Sequence, residues 1–379
     1  MSAPAPGGFS PPPYPYDRLA PLHRLAERLP GGVVDLSIGT PCDPPPAEVL
    51  AAIASSGTER SYPPSVGTPA FRSAVSSWFE LRFGVVIEPS SVAACVGSKE
   101  LVAGVPHWLR LRDPSRDTVL YPEVSYPSYA MGAMLAGCRA VPVPVDDRWR
   151  LDLGAIDPED AARALLLWSN TPGNPAGGLD DLAAVAEWGR ARGVPVFSDE
   201  CYAEFTWDGP VGPTGLPGAT ILSSGADGVV AVHSLSKRSN LAGLRVGFYA
   251  GDADLVHYLS EVRKHAGFMV PGPAQAAGIA ALGDQAHVDL QRARYRHRLD
   301  RLADVLGSIG LDVPLPGGGF YLWVPAPDRD AWGLAERLAT ELGVIVSPGE
   351  FYGAAHPDHV RVAVVQPDDR IDLVVRRAG

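Results

Sequence analysis

Cysteine is scarce in this sequence of 379 residues, and no two of its four cysteines are spaced as a CxxC pair. Metal sites and disulfide frameworks usually need clustered cysteines, so the sequence predicts neither, and a reducing cytoplasm fits it best. An uninterrupted apolar run of about 18 residues, long enough to span a membrane, is also missing. The N-terminus lacks a charged segment followed by an apolar one, which argues against a secretory signal.

Positive charge is in short supply as well. There are 32 lysines and arginines against 43 aspartates and glutamates, which gives a formal net charge of −11. Binding to nucleic acid or to an anionic membrane needs a basic surface, so neither partner is expected. The densest basic stretch, residues 292–301, has helical spacing, which favours a solvated helix face.

The chain is long enough for one large domain and a smaller one, and its 46% of hydrophobic residues is typical of a globular protein. Residues 1–34, rich in proline and glycine near their start, are predicted to form an N-terminal arm and part of the small domain. Residues 35–280 are predicted to form the large domain, and residues 281–379 a small C-terminal α+β domain.

Apolar runs alternate with helical patterns between residues 90 and 250. Several runs are apolar throughout, as expected for strands that are covered on both faces. The predicted strands are residues 92–96, 118–121, 164–169, 194–198, 229–233 and 246–250. Helices are predicted from residue 69 to residue 84 and over residues 179–192. The alternation predicts an α/β fold with a mostly parallel sheet, whose ligands bind at the carboxyl ends of the strands.

A lysine between serines follows one of these buried strands. Lys237 comes directly after Ser236, and Ser234 stands at the end of the strand, with Arg245 eight residues beyond the lysine. Lysine forms a Schiff base with an aldehyde cofactor when its surroundings lower its pKa. The two hydroxyls and the guanidinium are suitable donors for a phosphate. The alternative is an ordinary exposed lysine in a serine-rich loop.

Polar side chains follow two other predicted strands. Asp199 ends one strand, with Tyr202 three residues later, and Asn174 follows another strand within a segment rich in proline and glycine. A carboxylate at this edge can keep a pyridine nitrogen protonated, and the phenol and the amide can bond to the same ring. The alternatives are a helix cap for Asp199 and a plain turn for Asn174.

The segment Gly97-Ser98-Lys99 follows the first of these strands and is predicted to begin a helix. The first backbone N–H groups of a helix have no partner within the helix and lie at its positive dipole end. They therefore favour a bound phosphate.

In their order and spacing these motifs resemble the fold type I, class I/II pyridoxal phosphate (PLP)-dependent aminotransferases, from about residue 35 to residue 365. The resemblance implies that Lys237 holds PLP as a Schiff base and shuttles a proton, and that Asp199 pairs with the ring nitrogen. It also implies that Asn174 and Tyr202 bond to the ring 3-oxygen. The residues implied for the phosphate are Gly97, Ser98, Lys99, Ser234, Ser236 and Arg245.

Further positions match the same family. Tyr126 resembles the aromatic residue that stacks on the cofactor ring, and Tyr62 resembles the tyrosine that reaches the phosphate of the neighbouring subunit, which implies a homodimer. Arg361 matches the arginine that binds the substrate α-carboxylate, which Gly39 and Asn174 also contact. Taken singly, the two tyrosines could be core aromatics and Arg361 part of a surface salt bridge. One departure is Ala176, where the family usually has threonine.

Several segments also resemble the actinobacterial succinyldiaminopimelate aminotransferases of lysine biosynthesis. This implies transfer between N-succinyl-L,L-diaminopimelate and 2-oxoglutarate, with glutamate as the amino donor. The candidates for binding a distal carboxylate are Arg238, Arg263, Lys264 and His265. The alternatives are an aminotransferase of another amino acid and a PLP-dependent C–S β-lyase. A DNA-binding regulator is disfavoured because fewer than about 35 residues precede the first motif.

Overall fold

The computed structural model describes residues 9–379, so the first eight residues of the predicted arm lie outside the described part. Within it, the strands are β1 (Val34–Asp35), β2 (Val92–Cys95), β3 (Thr118–Pro122), β4 (Arg139–Val143), β5 (Ala164–Asn170), β6 (Val196–Asp199), β7 (Val229–Ser234), β8 (Gly247–Gly251), β9 (Tyr321–Pro325), β10 (Val344–Ile345), β11 (Ser347–Pro348) and β12 (His359–Ala363). The α-helices are α1 (Ala20–Ala26), α2 (Ala47–Ala54), α3 (Pro69–Phe83), α4 (Ser98–Arg112), α5 (Ser128–Leu135), α6 (Pro158–Arg163), α7 (Leu182–Arg192), α8 (Leu235–Arg238), α9 (Ala253–His265), α10 (Gly272–Gly283), α11 (Ala286–Ser308), α12 (Ala331–Glu341) and α13 (Asp368–Ala378). Of these helices, none combines the length and the apolar character needed to cross a membrane.

A seven-stranded sheet forms the centre, in the order β2-β8-β7-β6-β5-β3-β4. The pairs between β7, β6, β5, β3 and β4 are parallel, and β8 is antiparallel to both of its neighbours. The predicted α/β class with a mostly parallel sheet is therefore confirmed. All six predicted strands are present, each displaced by two residues or fewer at its start. The edge strand β4 was not predicted, because its residues are largely half-buried or exposed.

Helix α3 begins and ends as the sequence predicts. The side chain of Thr68 accepts a hydrogen bond from the backbone N–H of Phe71 at 3.2 Å, which caps the helix. Gly84 ends it with φ of 70°, a left-handed conformation that favours glycine. Helix α7 starts three residues later than predicted, because the side chain of Asp181 accepts from the N–H of Ala184 and sets the helix start at Leu182.

Apart from two apolar clusters on the central sheet, a separate apolar core joins both ends of the chain. Its strands are the antiparallel set β11-β12-β9 and the parallel pair β1-β10, in which Val34 pairs with Val344. Buried residues of α1, α11, α12 and α13 belong to the same cluster. The longest of the described helices, α11, lies in this C-terminal part of the chain. The domain limits at residues 34 and 280 stay a prediction.

Candidate active site

One cavity of about 270 Å³ collects most of the predicted site residues at the carboxyl ends of the central strands. The predicted residues that line it are Gly39, Ser98, Lys99, Tyr126, Asn174, Asp199, Tyr202, Ser234, Ser236, Lys237, Arg245 and Arg361. Gly97 lies just behind this lining, since a Cβ there would be 2.2 Å from a terminal nitrogen of Arg245. Tyr62 is outside the cavity and 95% exposed.

Lys237 reaches the cavity from α8, the short helix that follows β7. The side chain of Ser234 accepts from the N–H of Ser236 at 3.2 Å and fixes the start of this helix. The Lys237 ammonium donates to the carbonyl of Gly39, which comes from the N-terminal part of the chain. Burial lowers the pKa of Lys237 to about 8, and the charges of Arg361 and Arg245 act in the same direction. A large fraction of this amine is therefore neutral, and nucleophilic, in mildly alkaline solution.

Asp199, the last residue of β6, presents a buried carboxyl group to the same cavity. One carboxylate oxygen accepts from the hydroxyl of Tyr129 at 2.9 Å, and the other accepts from the backbone N–H of Cys201 at 3.2 Å. Among the described residues no basic side chain pairs with it, and burial raises the pKa of Asp199. A buried carboxylate of this kind suits the N–H⁺ of a pyridine ring.

Arg361 lies on β12 and is buried between aromatic rings. Its guanidinium carbon is 4.3 Å from the ring centre of Tyr321 and 4.8 Å from that of Tyr352. It donates to the side-chain oxygen of Asn174 at 2.9 Å and to the carbonyl of Ser37. Within residues 9–379 its Nε has no hydrogen-bond partner, and no carboxylate neutralises its charge. A buried guanidinium without a counter-ion is a strong site for a substrate carboxylate.

Tyr202 completes this side of the cavity. Its hydroxyl lies 2.8 Å from the hydroxyl of Tyr321 and accepts a long bond of 3.5 Å from the Asn174 amide. The backbone N–H of Asn174 donates to the side chain of Asn170 at 2.9 Å, which positions the amide after β5.

Another group of residues in the same cavity offers donors for an anion. The Ser234 and Ser236 hydroxyls lie 2.9 Å apart, and Ser98 stands at the start of α4. The Arg245 guanidinium bonds to backbone carbonyls, such as that of Ala242 at 3.0 Å, and has no acidic partner among the described residues. These donors fit a phosphate monoester. With Lys237 and Asp199, they fit PLP at its phosphate, aldehyde and ring nitrogen.

Sequence reasoning missed several residues of this cavity. They are Tyr14, Tyr16, Tyr129, Cys201 and Tyr321. Tyr129 lies three residues after Tyr126 and so belongs to the same sequence motif. The sequence does not show the hydrogen bond that its hydroxyl donates to Asp199. Tyr16, in the predicted arm, has its hydroxyl 2.9 Å from that of Tyr352 and 3.3 Å from Arg361. In the sequence, the only feature that could have indicated Tyr16 is its position as an aromatic residue in a proline-rich segment.

The four residues suggested for a distal carboxylate lie elsewhere. Arg263 is buried in an ion pair with Glu100, and Arg238 is buried in one with Glu204 at 2.9 Å. Lys264 and His265 are exposed on α9 and do not line the cavity. Proximity to the motifs in sequence therefore did not bring these side chains to the site.

Comparison with known proteins agrees with this geometry. A sequence profile of the family described as aminotransferase class I and II matches residues 31–377. The chain is 42% identical to a probable aminotransferase of Mycobacterium tuberculosis, over 99% of this chain and 88% of the relative. It is 40% identical to the 4-dedimethylamino-4-oxo-anhydrotetracycline transaminase of Streptomyces rimosus, over 97% of this chain and 98% of that relative. It is 35% identical to an LL-diaminopimelate aminotransferase of Desulforudis audaxviator, over 97% of this chain and 94% of that relative.

Solved structures show the same fold. An aminotransferase of Neisseria meningitidis superposes with a TM-score of 0.85 at 29% identity, over 97% of this chain and 96% of that one. A probable N-succinyldiaminopimelate aminotransferase of Thermus thermophilus superposes with a TM-score of 0.83 at 29% identity, over 96% of this chain and 99% of that one. The chain therefore belongs to the class I and II aminotransferases and is a PLP-dependent aminotransferase.

Proposed function

We propose that Lys237 carries the cofactor and is the acid–base group of the transfer. The observation that carries this proposal is a buried amine of lowered pKa in one cavity with an unneutralised carboxyl and an unneutralised guanidinium. Bound PLP supplies a ring that takes up the electron pair left when the substrate Cα loses its proton. Asp199 keeps the ring nitrogen protonated, and Asn174 and Tyr202 bond to the ring 3-oxygen.

The remaining residues position the reactants. Arg361, with Gly39 and Asn174, binds the α-carboxylate and so orients the Cα–H bond toward the ring face. Lys237, once released from the cofactor, takes this proton and returns it at C4′. Tyr126 stacks on the ring. The residues proposed for the phosphate are Gly97, Ser98, Lys99, Ser234, Ser236 and Arg245.

The active unit is proposed to be at least a homodimer, acting in the cytoplasm. Tyr62 is almost fully exposed in the single chain, as expected for a side chain that reaches the phosphate of a neighbouring subunit. Light scattering alongside an activity assay tests this, because a fully active monomer would contradict it. Tyr62→Phe is expected to weaken PLP binding by about 0.5–3 kcal/mol, the contribution of one hydrogen bond.

For the substrate, we infer glutamate as amino donor and N-succinyl-2-amino-6-oxopimelate as acceptor, a reaction of lysine biosynthesis. Support comes from relatives whose names refer to diaminopimelate and from the Thermus neighbour whose name refers to its succinyl form. Arg361 accounts for the α-carboxylate of either substrate.

One feature of the cavity favours a second kind of amino acceptor, an extended cyclic ketone. Six tyrosines line it, and such rings pack well against an extended cyclic ketone. The Streptomyces relative is named for a transamination of that kind. An aminotransferase of another amino acid and a C–S β-lyase are the two remaining candidate activities.

A comparison of kcat/KM values separates these possibilities. The panel contains N-succinyl-2-amino-6-oxopimelate, oxaloacetate, pyruvate, aromatic and branched 2-oxo acids and a cyclic polyketide ketone, with glutamate or alanine as donor. The proposal requires the succinylated acceptor to have the highest kcat/KM of the panel, because specificity between substrates is the ratio of these values. A preference for an aromatic, branched or cyclic acceptor would defeat it, and pyruvate release from cystathionine would indicate the β-lyase. Lys237→Ala serves as the inactive control.

A further inference from the structure

Two histidines and an aspartate lie together outside the cavity, in the segment from His356 to His359, whose last residue begins β12. One ring nitrogen of each histidine and one carboxylate oxygen of Asp358 lie within 4.8 Å of one another. In the described part of the chain, this is the one group of three such side chains close enough to share a metal ion. None of the three lines the proposed active site, so the group is separate from the residues that serve amino transfer.

The spacing of these atoms suits a zinc ion. Nδ1 of His359 lies 3.0 Å from a carboxylate oxygen of Asp358. Two ligands of a tetrahedral zinc ion, each 2.0–2.1 Å from the metal, lie roughly 3.3 Å apart. These two side chains are therefore already close to the separation that a shared ion requires. His356 is half-buried, so a small rotation of its side chain can bring the third ligand to the same distance.

Two tryptophans keep the imidazole rings near each other. His359 stacks on Trp323, with ring centres 5.0 Å apart and an interplanar angle of 10°. Trp149 makes edge-to-face contacts with both histidines, at centre distances of 4.9 Å to His356 and 5.4 Å to His359. Rings packed in this way lose little freedom when they bind an ion, which favours binding.

The carboxylate of Asp358 is only weakly engaged by another cation. Its partner is Arg329 at 3.1 Å, and the side chain of Arg329 is 82% exposed. An ion pair with so exposed a partner contributes little to stability and is readily exchanged for a metal ion.

We propose that His356, Asp358 and His359 form a binding site for a divalent transition-metal ion of the zinc type, with water completing the coordination. Zinc accepts imidazole and carboxylate ligands, whereas Mg²⁺ and Ca²⁺ prefer sites made of oxygen. The expectation that the chain has no metal site was drawn from the scarcity of cysteine, and this site requires none. The inference goes beyond the proposed amino transfer and does not depend on its substrate.

The role of the ion is structural. His359 begins β12, and Arg361 lies two residues later on the same face of that strand. Arg361 also pairs across the sheet with Trp323, on which His359 stacks. An ion at this point therefore holds the loop to the strand that carries Arg361. Because the unfolded chain does not preserve the site, the folded state gains stability as the concentration of the ion rises.

The experiment measures Zn²⁺ binding to the PLP-loaded enzyme by calorimetry, after a chelator has removed bound metal. Wild type is compared with His356→Gln and Asp358→Asn. His297→Gln is the matched control, because His297 is an exposed histidine on α11 outside the group. Wild type and His297→Gln are expected to bind one equivalent of Zn²⁺, which excess Mg²⁺ does not displace. His356→Gln and Asp358→Asn should each lower the affinity by at least about a hundredfold, since loss of a mere supporting contact already costs up to that much.

Thermal unfolding gives a second readout. Zn²⁺ should raise the unfolding temperature of wild type and His297→Gln, and should not raise that of His356→Gln or Asp358→Asn. The quantity compared is the rise caused by zinc, so a variant that is less stable without metal still gives a result.

Two results would overturn the proposal. No binding by the wild type at micromolar Zn²⁺ would leave the two histidines as ordinary packing partners of the tryptophans. Equal affinities of wild type and His356→Gln would place the ion elsewhere. Co²⁺ in place of Zn²⁺ checks the ligands directly, because its visible absorption depends on its coordination. That absorption should be lost in His356→Gln and retained in His297→Gln.

Discussion

The guanidinium of Arg361 donates to the side-chain oxygen of Asn174 across 2.9 Å, although the two residues are 187 positions apart. Arg361 belongs to the small sheet β11-β12-β9, and Asn174 to the loop after β5 of the central sheet. The proposed contact to the substrate carboxylate and the proposed contact to the cofactor ring are thus joined by one hydrogen bond. A change at either residue should therefore affect both substrate binding and the chemical step.

Arg361→Lys is expected to lower kcat/KM by about a hundredfold or more. An ammonium cannot keep the bonds to Asn174 and Ser37 and still bind a carboxylate in two places, as the planar guanidinium can. The decrease is measured by following the cofactor absorbance after rapid mixing with glutamate. Arg337→Lys, at an exposed pair on α12, should have no effect. A near-normal rate in Arg361→Lys would remove Arg361 from the substrate site.

Covalent uptake of PLP by the apoprotein should increase with pH around a midpoint of about 8. Below the pKa of Lys237 the ammonium cannot attack the aldehyde, and above it the free amine can. The measurement is the rate of the absorbance change as the pH is raised through this midpoint. A midpoint near about 10.4, the value of an exposed lysine, would contradict the buried environment of Lys237.

The position of the adduct gives an independent check on the same lysine. Borohydride reduction followed by peptide mapping should place PLP on Lys237. An adduct on Lys99 or Lys264 would refute the assignment. Lys237→Ala should retain some PLP through the phosphate donors but lose nearly all turnover, because both proton transfers lose their base.

Tyr129→Phe should lower kcat by about tenfold, the effect of one hydrogen bond to a charged group. Its hydroxyl donates to the buried Asp199 carboxylate, so its loss raises the pKa of Asp199 further and weakens the pairing of Asp199 with the ring nitrogen. The pH dependence of the holoenzyme absorbance should shift accordingly. Tyr249→Phe is the control, since that buried hydroxyl lies 3.0 Å from Ser260 instead. Identical pH profiles for wild type and Tyr129→Phe would exclude this role.

Glu204→Ala should destabilise the fold by about 3–5 kcal/mol, because it leaves the buried guanidiniums of Arg82 and Arg238 without their carboxylate. Denaturant unfolding measures the change. Glu341→Ala, which removes a solvent-exposed pair with Arg337, should cost less than about 1 kcal/mol. Equal effects of the two substitutions would contradict a structural role for the buried cluster.

The order of apolar runs and helical patterns along the chain was enough to predict six of the seven strands of the central sheet and the polar residues at their carboxyl ends. Asp199, Asn174 and Lys237 each follow an apolar strand, and parallel strands bring their carboxyl ends to one side. The parallel arrangement of the strands therefore brings these three residues together, and the sequence pattern predicts that arrangement. Helix limits were predictable where a cap is visible, as at Thr68 and Gly84.

The sequence by itself determined the fold class and the cofactor chemistry, because both depend on apolar strands and on short motifs at the strand ends, each of which is local in the sequence. Only the tertiary structure decided which distant side chains share the cavity. It brought Tyr16 and Tyr321 to Arg361, paired Arg263 with Glu100, and turned the ammonium of Lys99 toward Tyr126. Side-chain direction and charge pairing depend on neighbours contributed by other segments, and the sequence pattern around a residue does not specify those neighbours.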